Sequence, residues 1–440
     1  MIEIIKPDKT MARVLGPGKL LAGTVYVPSQ FTLDVFCNGK HYVQNTLTKQ
    51  CIEAQLPEQC RAGEGYDDLI RSMFLVPEDK DECAFYTGIS SLLKICRHKE
   101  GTKSFTILPT LACNAHCVYC YEEGMKPVTM TSETVAQTIR YILEHRQDDK
   151  VSLHWFGGEP LLYPAVIDRI CEGLREANVR YGSAIVSNGS LITPGIIRKM
   201  AGEWNISMVQ ISMDGSESDY IARKRYFSYQ DEYHKVMKMI SAMSEAGIKV
   251  SVRCNVDEEN LDTIPGFLED LKNTVNHKDN VWVYFATLYG TRSGENNLSL
   301  WKKVMALNTM VRPAGFNSGS GFKKKEQLRL NHCMADGSGV VIAPDGSLYP
   351  CEHCPPESRF GDIWHGVTDA AAKEEFCRTD RIREKCRRCP FLPVCTGFAS
   401  CPVQNNHCRE LKELSYIESL RRKILSAGES QGTEEFYIGC

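Results

Sequence analysis

The chain has 440 residues, with 52 basic and 55 acidic side chains and a formal net charge of −3. Apolar residues make up 42% and charged residues 24%, which excludes a wholly disordered or collagen-like chain. Because the charges nearly cancel, the chain has no strong positive electrostatic potential overall that would attract nucleic acid or an anionic membrane. No apolar run reaches membrane-spanning length, and residues 1–7 lack the basic-then-apolar order of a secretory signal. We therefore expect a cytoplasmic protein of about two to four domains, with no nucleic acid and no membrane among its partners.

The first part of the chain predicts a small α+β module. Residues 31–47 read as a hairpin, because apolar and polar side chains alternate on either side of Asn38-Gly39, a strong turn signal. Tyr66 to Leu75 shows the apolar spacing of a helix. We assign residues 1–98 to this N-terminal module.

From Ser104 onward, short apolar strands alternate with helical patterns. The predicted strands are 105–108, 151–155, 183–186, 208–211, 249–254 and 281–286, and the predicted helices between them are 132–146, 165–178, 194–204, 233–246 and 264–274. Ser132 is the expected N-cap of the first of these helices, and Gly247 the expected stop of the fourth. This alternation predicts an α/β fold, a partial (β/α)6 TIM-like barrel over residues 99–320, whose chemistry would lie at the C-terminal ends of the strands.

Cysteine is the unusual residue, with 20 in the chain. In a reducing compartment, grouped cysteines indicate metal or redox chemistry rather than disulfides. Nine of them, Cys83 and Cys377 included, are scattered singly and fit small buried apolar residues. The other eleven form two groups.

The first group is Cys113, Cys117 and Cys120, in the loop after the strand predicted at 105–108. Three thiolates can face one metal centre, but they are one too few to close a tetrahedral zinc site or a four-iron cluster. An iron with an open position could bind and activate a small molecule. A zinc site completed by His116 or by a remote ligand is the alternative.

The spacing of these cysteines, with Tyr119 just before the third, resembles the hallmark of the radical S-adenosylmethionine (SAM) enzymes. The resemblance implies a [4Fe–4S] cluster on Cys113, Cys117 and Cys120, with SAM chelating the fourth iron. In that family an electron from the cluster splits SAM, and the resulting 5′-deoxyadenosyl radical abstracts a hydrogen atom from the substrate. The cofactor supplies the difficult chemistry, and an external electron donor of the flavodoxin or ferredoxin class is implied as a partner.

Further segments at predicted strand ends resemble SAM-contacting parts of this family. Gly-Gly-Glu-Pro at 157–160 resembles the segment that binds the SAM amino group, and Arg223 is similar in place to an arginine that contacts SAM. Its spacing from Ser212 is one residue short, so Arg225 is a rival, and Arg253 is another candidate for the SAM carboxylate. An ordinary turn or surface role is the alternative for each. The implied cofactor-binding residues are Tyr119, Gly157, Gly158, Glu159, Pro160, Ser187, Asn188, Ser212, Asp214, Arg223 and Arg253.

The second cysteine group lies in residues 331–410 and resembles the SPASM extension of peptide-modifying radical SAM enzymes. The resemblance implies two auxiliary iron–sulfur clusters, which makes three [4Fe–4S] clusters in all, and a pair of zinc knuckles is the alternative. Residues 331–410 show little periodicity, so we expect their order to depend on metal, and residues 411–440 would form a C-terminal helix and tail. The implied ligands are Cys333, Cys351 and Cys401 for the first auxiliary cluster, with Cys354 or an open site as the fourth, and Cys386, Cys389, Cys395 and Cys408 for the second.

Glu352 directly follows Cys351. In sulfatase-maturing relatives of this family an acidic residue at that place accepts a proton from the substrate, so we predict a catalytic base at Glu352. A solvated surface charge is the alternative.

The resemblance implies a radical SAM oxidoreductase that acts as a peptide maturase. It would abstract a hydrogen atom from a ribosomally synthesised precursor peptide and install a thioether or carbon–carbon cross-link. The module at 1–98 would capture the leader sequence of the precursor as an added strand. The alternatives are a formylglycine-forming sulfatase maturase, a peptide epimerase and a non-catalytic metal-binding protein.

Overall fold

The computed structural model describes residues 2–97, 100–288, 298–321, 337–377, 382–395 and 408–428. Cys333 and Cys401 lie outside these residues. No helix among the described residues is long and apolar enough to cross a membrane.

The N-terminal module consists of two small antiparallel sheets and three helices, with strand orders β1-β5-β4-β3 and β6-β2-β7. Its elements are β1 (Ile2–Ile5), α1 (Lys9–Leu15), β2 (Val25–Pro28), β3 (Thr32–Cys37), β4 (Lys40–Asn45), β5 (Cys51–Glu53), β6 (Cys60–Arg61), α2 (Asp67–Arg71), β7 (Leu75–Pro77) and α3 (Glu82–Arg97). The predicted hairpin is confirmed: β3 pairs with β4, and Asn38 and Gly39 both have the positive φ that a tight hairpin turn needs. The predicted helix from Tyr66 to Leu75 is wrong in its extent. It ends at Arg71, because Met73 has a φ of +61° and Leu75 already belongs to β7.

The central part is a parallel sheet in which β8 to β13 pair in sequence order, as the alternation of strands and helices predicts. Its elements are β8 (Ser104–Ile107), α4 (Ser132–His145), β9 (Lys150–Trp155), α5 (Pro164–Glu176), β10 (Arg180–Ser187), α6 (Pro194–Ala201), β11 (Ile206–Met213), α7 (Glu217–Lys224), α8 (Glu232–Glu245), β12 (Lys249–Val256), α9 (Ile264–Thr274), β13 (Val281–Thr287), α10 (Leu298–Met310) and β14 (Asn317–Ser318). The N-cap of α4 is Thr131 rather than Ser132, since the Thr131 side chain accepts the hydrogen bond from the Thr134 amide. The stop predicted at Gly247 is confirmed by its φ of +78° just after α8. Helix α7 has no counterpart among the predicted elements.

The strands of this sheet bury one face against the helices. Apolar residues on that face, such as Phe105, Leu153 and Val252, are fully buried in the main core. The alternate residues form the other face, where Thr106 pairs with His154 and Ser212 with Arg253. A sheet with helices packed on one face and polar side chains on the other is consistent with a partial TIM-like barrel that has a polar lumen.

The cysteine-rich part contains regular secondary structure within residues 339–377, and the expected dependence of its order on metal remains a prediction. Its elements are β15 (Gly339–Ile342), β16 (Ser347–Tyr349), β17 (Gly361–Asp362), β18 (Gly366–Val367), α11 (Ala370–Cys377), α12 (Glu384–Arg387) and α13 (Cys408–Gly428). Strand β15 pairs in parallel with β8 and thereby extends the barrel sheet on the side opposite β9. The predicted C-terminal helix is confirmed by α13, which packs on the sheet of the N-terminal module.

Candidate functional site

The loop that carries the first three cysteines is bound along its backbone to the end of α7. The amides of His116 and Val118 donate to the carbonyls of Lys224 and Arg223, at 3.1 and 2.9 Å, and the amide of Phe227 donates to the Asn114 carbonyl at 3.2 Å. Because these hydrogen bonds lie on both sides of Cys117, they fix the loop at the C-terminal ends of the barrel strands.

The turn after β9 holds the same loop from its other side. The amides of Gly158 and Glu159 donate to the carbonyls of Thr110 and Ala112, at 3.1 and 2.9 Å. A Cβ atom on Gly158 would lie 2.2 Å from the Ala112 oxygen, and one on Gly157 would lie 2.4 Å from the Thr110 oxygen. The glycines are therefore required by the close approach of two backbone segments. Their predicted contact with SAM remains a prediction.

The three thiols form a half-buried group whose charges would interact. Burial raises the pKa of all three, that of Cys113 to about 11, so the thiols are protonated until a cationic centre displaces the protons. Among the described residues, these sulfurs are not all within 4.8 Å of one another. The His116 ring, which could complete a zinc site, lies 3.4 Å from Glu123. The identity of the metal centre remains a prediction.

Glu159 of the Gly-Gly-Glu-Pro segment is fully buried, and its carboxylate accepts three hydrogen bonds from the chain. The donors are the Ser187 hydroxyl at 2.9 Å, the Asn188 amide at 2.8 Å and the Leu161 amide at 3.1 Å. Burial raises the pKa of Glu159, and these donors oppose the increase. The residue thus ties the ends of β9 and β10 together, and its predicted role at the SAM amino group remains a prediction.

Asn188 continues this connection to the cysteine loop. Its side-chain nitrogen Nδ2 donates to the Oδ1 atom of Asn114 at 2.9 Å and lies 3.9 Å from the Cys113 sulfur. Its oxygen accepts from the Ser190 amide and hydroxyl, at 2.9 and 2.6 Å. The turn after β10 is therefore in contact with a predicted cluster ligand.

A second polar group lies under the loop, where β11 ends. The Tyr119 hydroxyl donates to the fully buried Asp214 carboxylate at 2.7 Å, and Lys224 lies 3.3 Å from the same carboxylate. The Lys224 ammonium also donates to Tyr119 at 3.0 Å and to Ser212 at 2.9 Å. Burial lowers the pKa of Lys224, but the charges of Asp214, Tyr119 and Cys117 outweigh that effect and hold it well above its usual value.

Lys224 was not predicted from the sequence, although it is the cation that lies closest to the predicted cofactor residues Tyr119, Ser212 and Asp214. Its neighbour Arg223 instead binds Asp257 through both terminal nitrogens, at 2.7 and 3.1 Å. Arg253, within β12, donates to Asn255 at 3.0 Å and lies near His353 in the lumen. The spacing from Ser212 could have indicated Lys224. Arg223 lies one residue too close to Ser212 for the pattern it resembles, and Lys224 occupies the next position.

The second cysteine group reaches the first across the mouth of the barrel. The rings of Tyr121, next to Cys120, and His353, two residues after Cys351, are 4.6 Å apart. Glu352 is half-buried and lies close enough to Tyr121 and His154 to influence their charge states. The solvated-surface alternative for Glu352 is therefore disfavoured, although its role as a base remains a prediction.

Cys351 and Cys354 are in contact, and a hydrogen bond between them, with burial, raises the pKa of Cys351. Cys377, treated as an isolated cysteine in the sequence, packs into the same small apolar cluster as these two thiols and Phe376. Cys351, Cys354 and Cys377 therefore share one apolar cluster. The long separation in sequence between Cys354 and Cys377 concealed this proximity.

Cys386, Cys389 and Cys395 lie on and after α12 and are half-buried, and Cys386 packs against an apolar cluster of the N-terminal module. Cys408 begins α13. The structure therefore brings three predicted ligands of the second auxiliary cluster into one short segment.

Comparison with known proteins agrees with this arrangement. The family model described as the Radical SAM superfamily matches residues 107–271. The AdoMet-dependent heme synthase of Methanosarcina barkeri is 21% identical over 317 residues, 66% of this chain and 88% of that protein. The antilisterial bacteriocin subtilosin biosynthesis protein AlbA of Bacillus subtilis is 22% identical over 307 residues, 66% of this chain and 65% of AlbA.

Among solved structures, native anSMEcpe with bound AdoMet has a TM-score of 0.59 at 18% identity, covering 74% of this chain and 100% of that chain. The same protein with AdoMet and a Cp18Cys peptide bound gives the same TM-score of 0.59. At this identity the likeness shows a shared fold. Together with the family match, it identifies residues 107–271 as a radical SAM domain, and the protein is a radical SAM enzyme.

Proposed function

We propose that the protein is a peptide maturase that abstracts a hydrogen atom from a ribosomally synthesised precursor peptide and installs a thioether or carbon–carbon cross-link. The observation that carries the proposal is the contact between Tyr121 and His353, with ring centroids 4.6 Å apart. It brings the segment from Cys351 to Cys354 beside the loop from Cys113 to Cys120. A substrate in the lumen would therefore have one predicted cluster site on each side.

The residues present fit the groups that the family implies. Cys113, Cys117 and Cys120 would hold the [4Fe–4S] cluster that binds SAM, and these two cofactors supply reductive cleavage when bound. The hydrogen bonds of Gly158, His116 and Val118 would keep the three thiols oriented. The polar group of Tyr119, Asp214 and Lys224 would keep the floor of the loop rigid, which favours a reproducible distance between cofactor and substrate.

Glu352 would accept the proton that the substrate loses as the new bond forms, and the remaining electron would pass to an auxiliary cluster when one is bound. Glu352 lies in the lumen beside Tyr121 and His154, so it could reach a peptide side chain placed there. The nearby thiols Cys351 and Cys354, with Cys333 and Cys401, would hold the first auxiliary cluster. The second would be held by Cys386, Cys389, Cys395 and Cys408, and an external flavodoxin- or ferredoxin-class protein would supply electrons.

The N-terminal module would recognise the leader of the precursor. Within the described ranges, strand β3 is an edge strand that pairs with β4 alone, so its outer backbone groups could accept an added strand. Phe36 on this strand is 56% exposed and could contact a leader side chain. AlbA, a bacteriocin biosynthesis protein by name, supports a peptide as the substrate class.

Formylglycine formation on a sulfatase is the second candidate. The half-buried position of Glu352 and the shared fold with anSMEcpe, which binds a Cp18Cys peptide, favour it over epimerisation. Both candidates need an acceptor for a substrate proton, so they differ in the product rather than in the residues named here.

The test is anaerobic incubation of the reconstituted enzyme with dithionite, SAM and a candidate precursor peptide, followed by mass spectrometry. Loss of two hydrogen atoms per event, with no reaction towards an aldehyde-specific hydrazide, is the expected result. A hydrazide-reactive product would indicate formylglycine, and an unchanged mass with deuterium uptake from solvent would indicate epimerisation. The matched variant Glu352→Gln should still release 5′-deoxyadenosine but form less product.

A further inference from the structure

The base of the β3–β4 hairpin packs against residues 382–395, here called the ligand segment. This segment carries three predicted ligands of the second auxiliary cluster, Cys386, Cys389 and Cys395. Phe31 and Leu47, which flank the hairpin, are 0% and 1% exposed and share one apolar cluster with Leu392 of the ligand segment. The hairpin that would hold the leader at its outer edge therefore rests against the ligand segment at its base.

The ligand segment folds into consecutive turns through its own backbone hydrogen bonds. The amides of Cys389, Leu392 and Cys395 each donate to the carbonyl three residues earlier, at 3.1, 3.1 and 3.3 Å. These turns use the carbonyls of Cys386, Cys389 and Leu392. The carbonyls between them are left for donors outside these turns.

Two side chains at the base of the hairpin supply such donors. The Gln30 side chain, two residues before β3, donates to the Arg387 carbonyl at 3.0 Å. The Thr46 hydroxyl, directly after β4, donates to the Pro390 carbonyl at 2.5 Å. Each acceptor comes one residue after a predicted ligand, so both hydrogen bonds act on the backbone that presents the thiols.

The N-terminal module holds both donors in place. Thr46 is 0% exposed, and its amide donates to the Phe31 carbonyl at 2.8 Å. The Gln30 amide and the Ser29 hydroxyl both donate to the Glu82 carboxylate, each at 2.6 Å. Glu82 begins α3 and is 7% exposed. Because the donors are themselves fixed, they can define where the ligand segment lies.

We propose that Thr46 and Gln30 are positioning residues that hold the ligand segment in the geometry that the second auxiliary cluster needs. Ligands that are not ordered beforehand have to be ordered when the metal binds, and that cost weakens binding. Hydrogen bonds to the backbone beside the ligands reduce this cost, as outer-shell partners do in other metal sites. The inference rests on the proposed assignment of Cys386, Cys389 and Cys395 as cluster ligands.

The test compares Thr46→Val with the wild type, both as full-length protein reconstituted anaerobically with iron and sulfide. Valine resembles threonine in shape but has no hydroxyl, so the Pro390 carbonyl loses its donor. Loss of such a hydrogen bond changes an equilibrium constant by about tenfold. An iron chelator should therefore remove the iron of one cluster about tenfold faster, while one auxiliary signal in electron paramagnetic resonance decays at the same rate. Iron release at the wild-type rate would overturn the proposal.

Thr46→Ser and Thr32→Val are the matched controls. Thr46→Ser keeps the hydroxyl and should release iron at the wild-type rate. Thr32→Val removes the hydrogen bond from the Thr32 hydroxyl to the Ser29 carbonyl, at 2.6 Å, whose acceptor lies within the module. This variant should lose stability without faster iron release. Equal acceleration in Thr32→Val and Thr46→Val would attribute the effect to loosening of the module and would overturn the role of Thr46.

Gln30→Met keeps the proposal testable if Thr46→Val does not fold. It removes the second donor to the ligand segment at a half-buried position, and it should also accelerate iron release from one cluster. Wild-type release from Gln30→Met, in the absence of a folded Thr46→Val protein, would overturn the proposal.

The double variant Cys386→Ala, Cys389→Ala separates failure of this inference from failure of the cluster assignment. It should lose one auxiliary signal and about four iron atoms per chain. If it kept every signal and all of its iron, the assignment of ligands would be wrong, and the role of Thr46 and Gln30 would fall with it. If it lost the cluster while Thr46→Val released iron at the wild-type rate, this inference alone would be overturned.

Discussion

A buried charged pair lies beneath the cysteine loop. Asp214 and Lys224 are buried, at 0% and 1% exposure, and Tyr119 bonds to both of them. Taking two charges out of water is costly, so each depends on the other and on the tyrosine. Removal of either charge would leave its partner buried and uncompensated.

We predict that Lys224→Met lowers the free energy of unfolding by about 3–5 kcal/mol, because the Asp214 carboxylate loses its cation in a buried site. Chemical denaturation of the wild type and the variant measures the change. Lys199→Met is the matched control: Lys199 pairs with Asp168 at 2.7 Å, but its side chain is 36% exposed, so the loss should be less than about 1 kcal/mol. Equal losses in the two variants would contradict this account of Lys224.

At the scale of single residues, the sequence predicts which side chains are candidates for chemistry better than it predicts which side chains contact one another. Cys113, Cys117 and Cys120 could be recognised because their spacing is local. Lys224 could not, since a lysine next to two arginines is expected on the surface. The contact of Tyr121 with His353 also escaped sequence reasoning, because more than two hundred residues of unknown path separate the two side chains.

Among the elements, the turn after β9 shows how a short motif acts through packing. Its glycines allow the backbone to lie against the cysteine loop, and its glutamate binds the end of β10. A motif that resembles a cofactor contact in sequence therefore also packs against the loop that carries the predicted cluster ligands.

We predict that Gly158→Ala displaces the cysteine loop, because the added Cβ would lie 2.2 Å from the Ala112 oxygen. The reconstituted variant should lose about four iron atoms per chain relative to the wild type, the content of one [4Fe–4S] cluster. Iron and sulfide analysis measures this loss. Gly266→Ala is the control, since nothing lies within 4 Å of its Cβ position in α9, and its iron content should not change. A wild-type iron content in Gly158→Ala would contradict this prediction, because the cysteine loop would then still hold its cluster.

Element type was predictable where local pattern and tertiary contacts agree. The six parallel strands from β8 to β13 follow from their apolar runs, and α9 was predicted with its observed bounds. Strand β15 was not predicted, because Val340, Val341 and Ile342 gain their strand character by pairing with β8, far away in sequence. Helix α2 ends early for a related reason, since Leu75 is recruited by β2 into the second sheet of the module.

Over the whole molecule, the two ends of the chain depend on each other. Helix α13 places Leu420 and Ile424 on the N-terminal sheet, where they join Val35, Tyr42 and Cys51 in one buried cluster. Helix α3 makes a second junction with the segment around Leu392. The N-terminal module is therefore held by the cysteine-rich part, and removing either would expose apolar surface on the other.

We predict that Leu420→Ala destabilises the docking of α13 by about 2–5 kcal/mol, since this side chain is 2% exposed and its truncation leaves a cavity. Hydrogen exchange should become faster at the amides of β3 and β4 and along α13. Leu425→Ala, at a position that is 39% exposed, is the control and should change exchange little. Unchanged protection in Leu420→Ala would contradict a dependence of the module on α13.

The central claim is that Cys113, Cys117 and Cys120 hold an iron–sulfur cluster with a free coordination position for SAM. The most direct measurement is 5′-deoxyadenosine release from SAM by the reconstituted protein under anaerobic reduction with dithionite. The wild type should release it, the variant with all three cysteines changed to Ala should release none, and Cys386→Ala should retain release. Absence of 5′-deoxyadenosine from fully iron-loaded wild type, or equal release by the triple variant, would contradict the account.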